Sequence, residues 1–186
     1  MMGLVSWWGV RESVGLASLM TLIEIGGLLL IIGGGIVSEP QLLLRVPELV
    51  PAEWSGATMT VVLQASLLAV FAYIGFEGIS NIAEETVRPQ TTLPRAILAT
   101  LVISTVIYVL TVGVALLTIG PQAIASHPTP LSHLFTRTTG LPAAIITVIA
   151  VIATVNGIIV QIIAVSRLLY GLAMRELLPG PLKFVD

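Results

Sequence analysis

The stretch AILATLVISTVIYVLTVGVALLTI, Ala96–Ile119, carries no charged side chain. At about 1.5 Å per residue, a helix of this length covers the roughly 30 Å of hydrocarbon in a bilayer. Three further runs meet the same test. Leu16–Val37 is interrupted only by Glu24 and small polar residues, and Val61–Ile82 carries Glu77. Leu141–Leu169 carries Asn156, Gln161 and Arg167 in its later half. Spans are therefore expected at 16–37, 61–82, 96–119 and 141–169. Barrel strands would run about 10 residues with strict alternation, and none of these runs alternates. The reading is an all-α integral membrane protein with four transmembrane helices.

Composition agrees. Hydrophobic residues make up 56% of the 186 residues and charged residues 10%, with a mean hydropathy of +1.04. A soluble domain carries about 25% charged residues to coat its surface, so the lipid bilayer is the expected surrounding. There is no cysteine, which excludes disulfides, thiolate metal sites and cysteine nucleophiles. A formal charge of -2 leaves no basic footprint for nucleic acid. The first ten residues are short, aromatic and lack a basic start, unlike a cleavable signal peptide.

The connections are rich in proline, which is poor helix material and marks the ends of spans. Residues 38–59 hold Pro40, Pro47 and Pro51 with Glu39, Glu48 and Glu53, and residues 84–95 are the most polar stretch. Residues 120–140 contain Pro121, Pro128, Pro130 and both histidines. Alternate crossings put Arg11, Arg88, Arg95, Arg167, Arg175 and Lys183 on one side, and only Arg45 and Arg137 on the other. The positive-inside rule then places both termini and the 84–95 loop in the cytoplasm.

Chemistry concentrates in the second span, at Phe71-Ala72-Tyr73-Ile74-Gly75-Phe76-Glu77-Gly78-Ile79-Ser80. Glycine costs about 1 kcal/mol against alanine in a helix, and an ionised side chain at mid-membrane costs about 3 kcal/mol on insertion scales. One reading is a broken helix that exposes backbone groups to substrate or ion at membrane depth. The other is that Gly75 and Gly78 allow close helix packing and Glu77 hydrogen-bonds a neighbouring helix. Residue types alone leave both open.

The order of motifs narrows the choice. Phe71–Glu77 is followed by Ala83-Glu84-Glu85, Arg88-Pro89 and Leu93-Pro94-Arg95-Ala96-Ile97. It is preceded by Gly9-Val10-Arg11-Glu12-Ser13 and Thr21-Leu22-Ile23-Glu24, and Ser166–Ala173 with Leu177-Leu178-Pro179 close the chain. In order, spacing and orientation this resembles helices five to eight of the amino acid–polyamine–organocation permeases. The resemblance implies part of a LeuT-like inverted-repeat transporter fold. It implies secondary transport of amino acids or related amines across the cell membrane by alternating access, as symport or exchange.

By the same resemblance the sixth helix unwinds at about Ala72–Gly75. The substrate-binding residues it implies are Phe71, Ala72, Tyr73, Ile74 and Gly75, with the Phe71 ring closing over bound substrate. Glu77 matches an acidic position linked to proton coupling, and desolvation of a buried glutamate drives its pKa upward toward the physiological range. Glu24 departs from the family pattern, since several relatives carry a lysine whose ammonium stands in for a sodium ion. A carboxylate cannot do that. Glu24 is instead a candidate to take a proton, or a structural hydrogen-bonding group.

Asn156 is a pathway-lining candidate, although polar side chains more often serve as glue between helices. Neither a metal nor another cofactor is expected, and His127 and His133 are widely spaced along the proline-rich outer loop. The Gly33–Gly35 run is expected to loosen the end of the first span. An enzyme is not expected: a serine hydrolase needs a histidine base within reach of a membrane serine, and no His-Glu-x-x-His motif exists. Since the family has ten to twelve helices, the chain is expected to lack partner helices of a full permease. A non-transporting membrane scaffold derived from a shortened permease is the alternative.

Overall fold

The computed structural model describes residues 10–73, 75 and 86–174. Among them are six α-helices and no strand. Helix α1 spans Val10–Ser38, α2 Gly56–Val70, α3 Pro89–Thr118, α4 Pro121–Ser126, α5 Pro130–Thr139 and α6 Ala143–Met174. Four helical segments are long and apolar enough to cross a membrane: Gly15–Ser38, Gly56–Tyr73, Pro89–Thr118 and Ala143–Met174. Their apolar residues point in all directions, as helices surrounded by lipid or by other helices require. Leu67 and Leu68 of α2 are 69% and 73% exposed, which water would not tolerate across a whole helix. The membrane character is plain from these surfaces.

At several helix ends the sequence supplies a reason for the boundary. Ser55 precedes α2, and its hydroxyl accepts the Thr58 N–H at 3.2 Å, satisfying one of the orphan donors at a helix start. Pro89, Pro121 and Pro130 sit in the first turns of α3, α4 and α5, where a missing N–H costs nothing. Helix α5 ends at Gly140, whose φ of 71° is the left-handed cap that glycine adopts without strain. The proline-rich connections therefore contain more helix than their composition suggests. Residues 42–49 form a 3₁₀ helix with Pro47 inside it, and residues 120–140 fold into α4 and α5 rather than a plain loop.

The packing is densest at one end. Ile31 of α1, Leu42, Val114 and Leu117 of α3, Leu134 and Phe135 of α5, and Ile146 of α6 form one buried cluster. Close approach there depends on glycine. A Cβ on Gly34 would lie 2.9 Å from the Thr138 carbonyl oxygen and 3.0 Å from Thr139 Cγ2, and a Cβ on Gly35 would collide with Val114. Gly27 similarly faces Ile149. The glycine run is thus a contact surface inside a helix that continues to Ser38. It does not loosen the helix end, because α5 and α3 fill the space that side chains would need.

Polar contacts fasten the same end. Arg45 Nη1 donates to the Leu117 carbonyl at 3.0 Å, capping the C-terminal turn of α3, where cations are favoured. Its remaining nitrogens pair with Glu48 at 3.0–3.2 Å, and Glu39 stands 3.6 Å away. The hydrogen bond from Arg45 holds the Glu48 carboxyl below its ordinary value.

Two predictions follow from these contacts. Gly34→Ala should destabilise the fold by about 1–3 kcal/mol, since backbone cannot yield to the new methyl. Gly33→Ala, which meets open space, should be neutral or stabilising by up to about 1 kcal/mol; unfolding in mixed micelles distinguishes them. For Glu48, the lowered folded-state pKa means that its contribution is present above the unfolded value. That contribution is lost as pH falls through the folded value. The effect is small because the pair is exposed and salt-screened. Thermal melts across the acid range at low salt should show a pH-dependent component that Glu48→Gln removes.

Candidate functional site

Helix α2 keeps regular α geometry only as far as Val70. After Val70 the chain tightens into a 3₁₀ turn at Phe71–Tyr73, with the Phe71 N–H bonded to the Leu68 carbonyl, an i−3 rather than an i−4 acceptor. Gly75 then adopts φ 120°, a conformation that side chains forbid. The resemblance-based break at Ala72–Gly75 coincides with this departure from α geometry. Ile74 and Glu77 lie outside the described residues, so their placement is not described. The Phe71 ring is 70% exposed, standing clear of the packed helices. Most of α2 is likewise exposed.

The turn is tied to α3. Tyr73 Oη lies 2.9 Å from Thr105 Oγ1, and its ring meets Tyr108 edge-on, with centroids 5.8 Å apart at 66°. Such an aromatic pair contributes about 0.5–1.5 kcal/mol beyond its buried area. Thr105 falls near the middle of Pro89–Thr118, so the broken segment sits at mid-height of the neighbouring span. Neither Thr105 nor Tyr108 stood out in the sequence, where an uncharged run hides which residues face a neighbour.

A second polar centre joins α1 and α6. Asn156 Nδ2 donates to Glu24 Oε1 at 2.7 Å and to Thr21 Oγ1 at 3.0 Å. Thr21 and Glu24 are three residues apart and share one helix face, and the Thr21 hydroxyl donates onward to the Ala17 carbonyl at 3.0 Å. Asn156 is 7% exposed. Its Oδ1 is buried with no hydrogen-bond partner, while both amide hydrogens are committed. The opposite amide orientation would set Oδ1 against a carboxylate oxygen, which repels it. Interhelical hydrogen bonds of this kind are worth about 0.6 kcal/mol on average and up to about 1.7 kcal/mol in membranes.

Thus two of the candidate residues, Glu24 and Asn156, meet directly. Phe71, Ala72, Tyr73 and Gly75 form the irregular segment beside α3. Gln161 lies on a different face of α6, in an open groove with Thr154, Gly157, Ile158 and Val165. In the 120–140 connection, His127 and His133 stack with ring centroids 4.7 Å apart and an 18° interplanar angle. His127 Nδ1 accepts the Thr129 N–H at 3.2 Å. The folding of residues 120–140 into two helices brings together what the sequence keeps six residues apart. Among the described residues no group of three or more His, Cys, Asp or Glu is arranged to hold a metal.

Comparisons with known proteins agree with this architecture. The profile of the amino acid permease family matches residues 29–186. A chloroplastic cationic amino acid transporter 9 of Arabidopsis thaliana is 30% identical over 95% of the chain, covering 30% of that transporter. The branched-chain amino acid permease BcaP of Bacillus subtilis is 29% identical over 95% of the chain and 37% of the permease. The methylthioribose transporter of the same bacterium is 30% identical over 92% of the chain and 36% of its own length. The chain therefore spans about a third of the length of these relatives. No solved structure matches. A profile match over most of the chain, on four membrane-length helices, means that this chain belongs to the amino acid permease family.

Proposed function

We propose that this chain supplies the part of an amino acid permease in which one half of the substrate site and its proton coupling reside. The observation that carries the reading is the 3₁₀ turn at Phe71–Tyr73 followed by Gly75 at φ 120°. In hydrocarbon, backbone polar groups must be satisfied within the protein or face a polar cavity. A segment that gives up α-helical bonding at mid-height is therefore suited to meet the amino and carboxylate ends of an amino acid. Phe71 closes over the substrate, and residues 72–75 contribute backbone groups.

The substrate class is amino acids or related amines, moved by alternating access across the cell membrane. Both termini and the 84–95 loop face the cytoplasm, following the arginine and lysine bias. Glu77 exchanges the proton that drives symport. Glu24, bonded to Asn156, is the second acid at which a proton alters a contact between spans. Asn156 thus acts as the hydrogen-bonding partner of Glu24, not as an isolated lining residue.

Uptake assays test this. In cells lacking endogenous uptake systems, the reading frame that contains this chain should confer saturable uptake of labelled amino acids that collapses with the proton gradient. Glu77→Gln should abolish the gradient dependence while leaving exchange; full coupling in that variant removes Glu77 from the mechanism. The four spans reconstituted alone should not catalyse saturable uptake, and if they do, the incomplete-site reading fails.

A further inference from the structure

The broken segment has an anchor as well as a weak point. Thr105 Oγ1 donates to the Leu101 carbonyl at 2.7 Å. The 2.9 Å pair with Tyr73 Oη joins this bond, a hydroxyl pair in which either oxygen can donate. Such chained hydrogen bonds polarise one another. Tyr108 lies one turn further along α3, on the same face as Thr105, and its ring abuts Tyr73. One residue thus meets α3 at two points, through its hydroxyl and through its ring.

The position of this contact matters. Tyr73 is the last residue of the 3₁₀ turn, two residues before Gly75 at φ 120°. Glycine there permits the backbone to change direction, while tyrosine just before it fixes where the turn stands. Among the described residues, α2 has few other contacts with the bundle.

We infer that Tyr73 is a positioning residue: it tethers the broken part of the second span to the middle of the third. Through that tether α3 sets where the Phe71 ring and the backbone of residues 71–75 stand. The inference rests on the reading that this segment meets substrate, but the tether itself can be tested without substrate.

The test is hydrogen–deuterium exchange of the full chain in lipid nanodiscs, read at the amides of residues 71–75. Tyr73→Phe and Thr105→Val should each speed exchange there by on the order of five-fold, the scale of one lost hydrogen bond. Exchange in α1 and α6 should stay unchanged, and Thr105→Ser should retain the wild-type rate. The double variant Tyr73→Phe/Thr105→Val should be no faster than Tyr73→Phe alone, since Thr105→Val removes a bond that Tyr73→Phe has already removed. Unchanged exchange in Tyr73→Phe, or Thr105→Ser behaving like Thr105→Val, overturns the tether. A second arm uses the whole reading frame that contains this chain, in the same nanodiscs, and adds L-leucine or L-arginine. If wild type is protected at 71–75, the half-protecting concentration should rise several-fold in Tyr73→Phe, and no rise overturns the positioning role. If neither amino acid protects wild type, the substrate reading fails while the tether stands or falls on exchange without ligand.

Discussion

Inside a bilayer a backbone N–H or C=O has no water to fall back on. That constraint explains why four long apolar helices make up most of this chain, and why their interruption is informative. A helix that loosens at mid-height must have its polar groups met by something. At Phe71–Gly75 part of the answer lies within the chain, in the bond from the Phe71 N–H to the Leu68 carbonyl, while the Tyr73 hydroxyl is met by Thr105. The same constraint governs the polar side chains. Glu24 and Asn156 are tolerated in apolar spans because each answers the other across the α1–α6 contact.

The two polar centres differ in character. At Glu24–Asn156 every donor is committed, yet the Asn156 Oδ1 acceptor is left over. A buried acceptor without a donor costs free energy, so the contact has a defined way to become tighter: a donor must arrive beside Oδ1. At the broken segment the surplus is instead in exposed surface, since Phe71 projects from the packed helices. One centre is enclosed between spans, and the other stands at the edge of a helix that, among the described residues, packs sparsely on its neighbours.

Much of this was legible in the sequence because hydrophobic runs free of charge have few other homes. The break at Ala72–Gly75 was legible through motif resemblance, and glycine chemistry accounts for it locally. Partners were not legible. Which residue Glu24 meets depends on the rotation of α1 against α6, and Gly27 packs against Ile149 at that contact. Thr105 and Tyr108 were hidden for the same reason, being unremarkable members of an apolar run. The 120–140 connection misled in a different way. Its prolines read as breakers, yet in the first turn of a helix proline is a starter, and two helices grew from them.

The glycine contact at the C-terminal end of α1 has a mechanical side. Where Gly34 and Gly35 meet α5 and α3, the backbones approach as closely as atoms allow, and Arg45 clamps the end of α3 beside them. Contacts of that kind resist sliding and separation, but they leave a helix able to swing. A small angular change at such a fulcrum becomes a larger displacement further along the axis. The far ends of these spans are therefore where the bundle has most freedom to part.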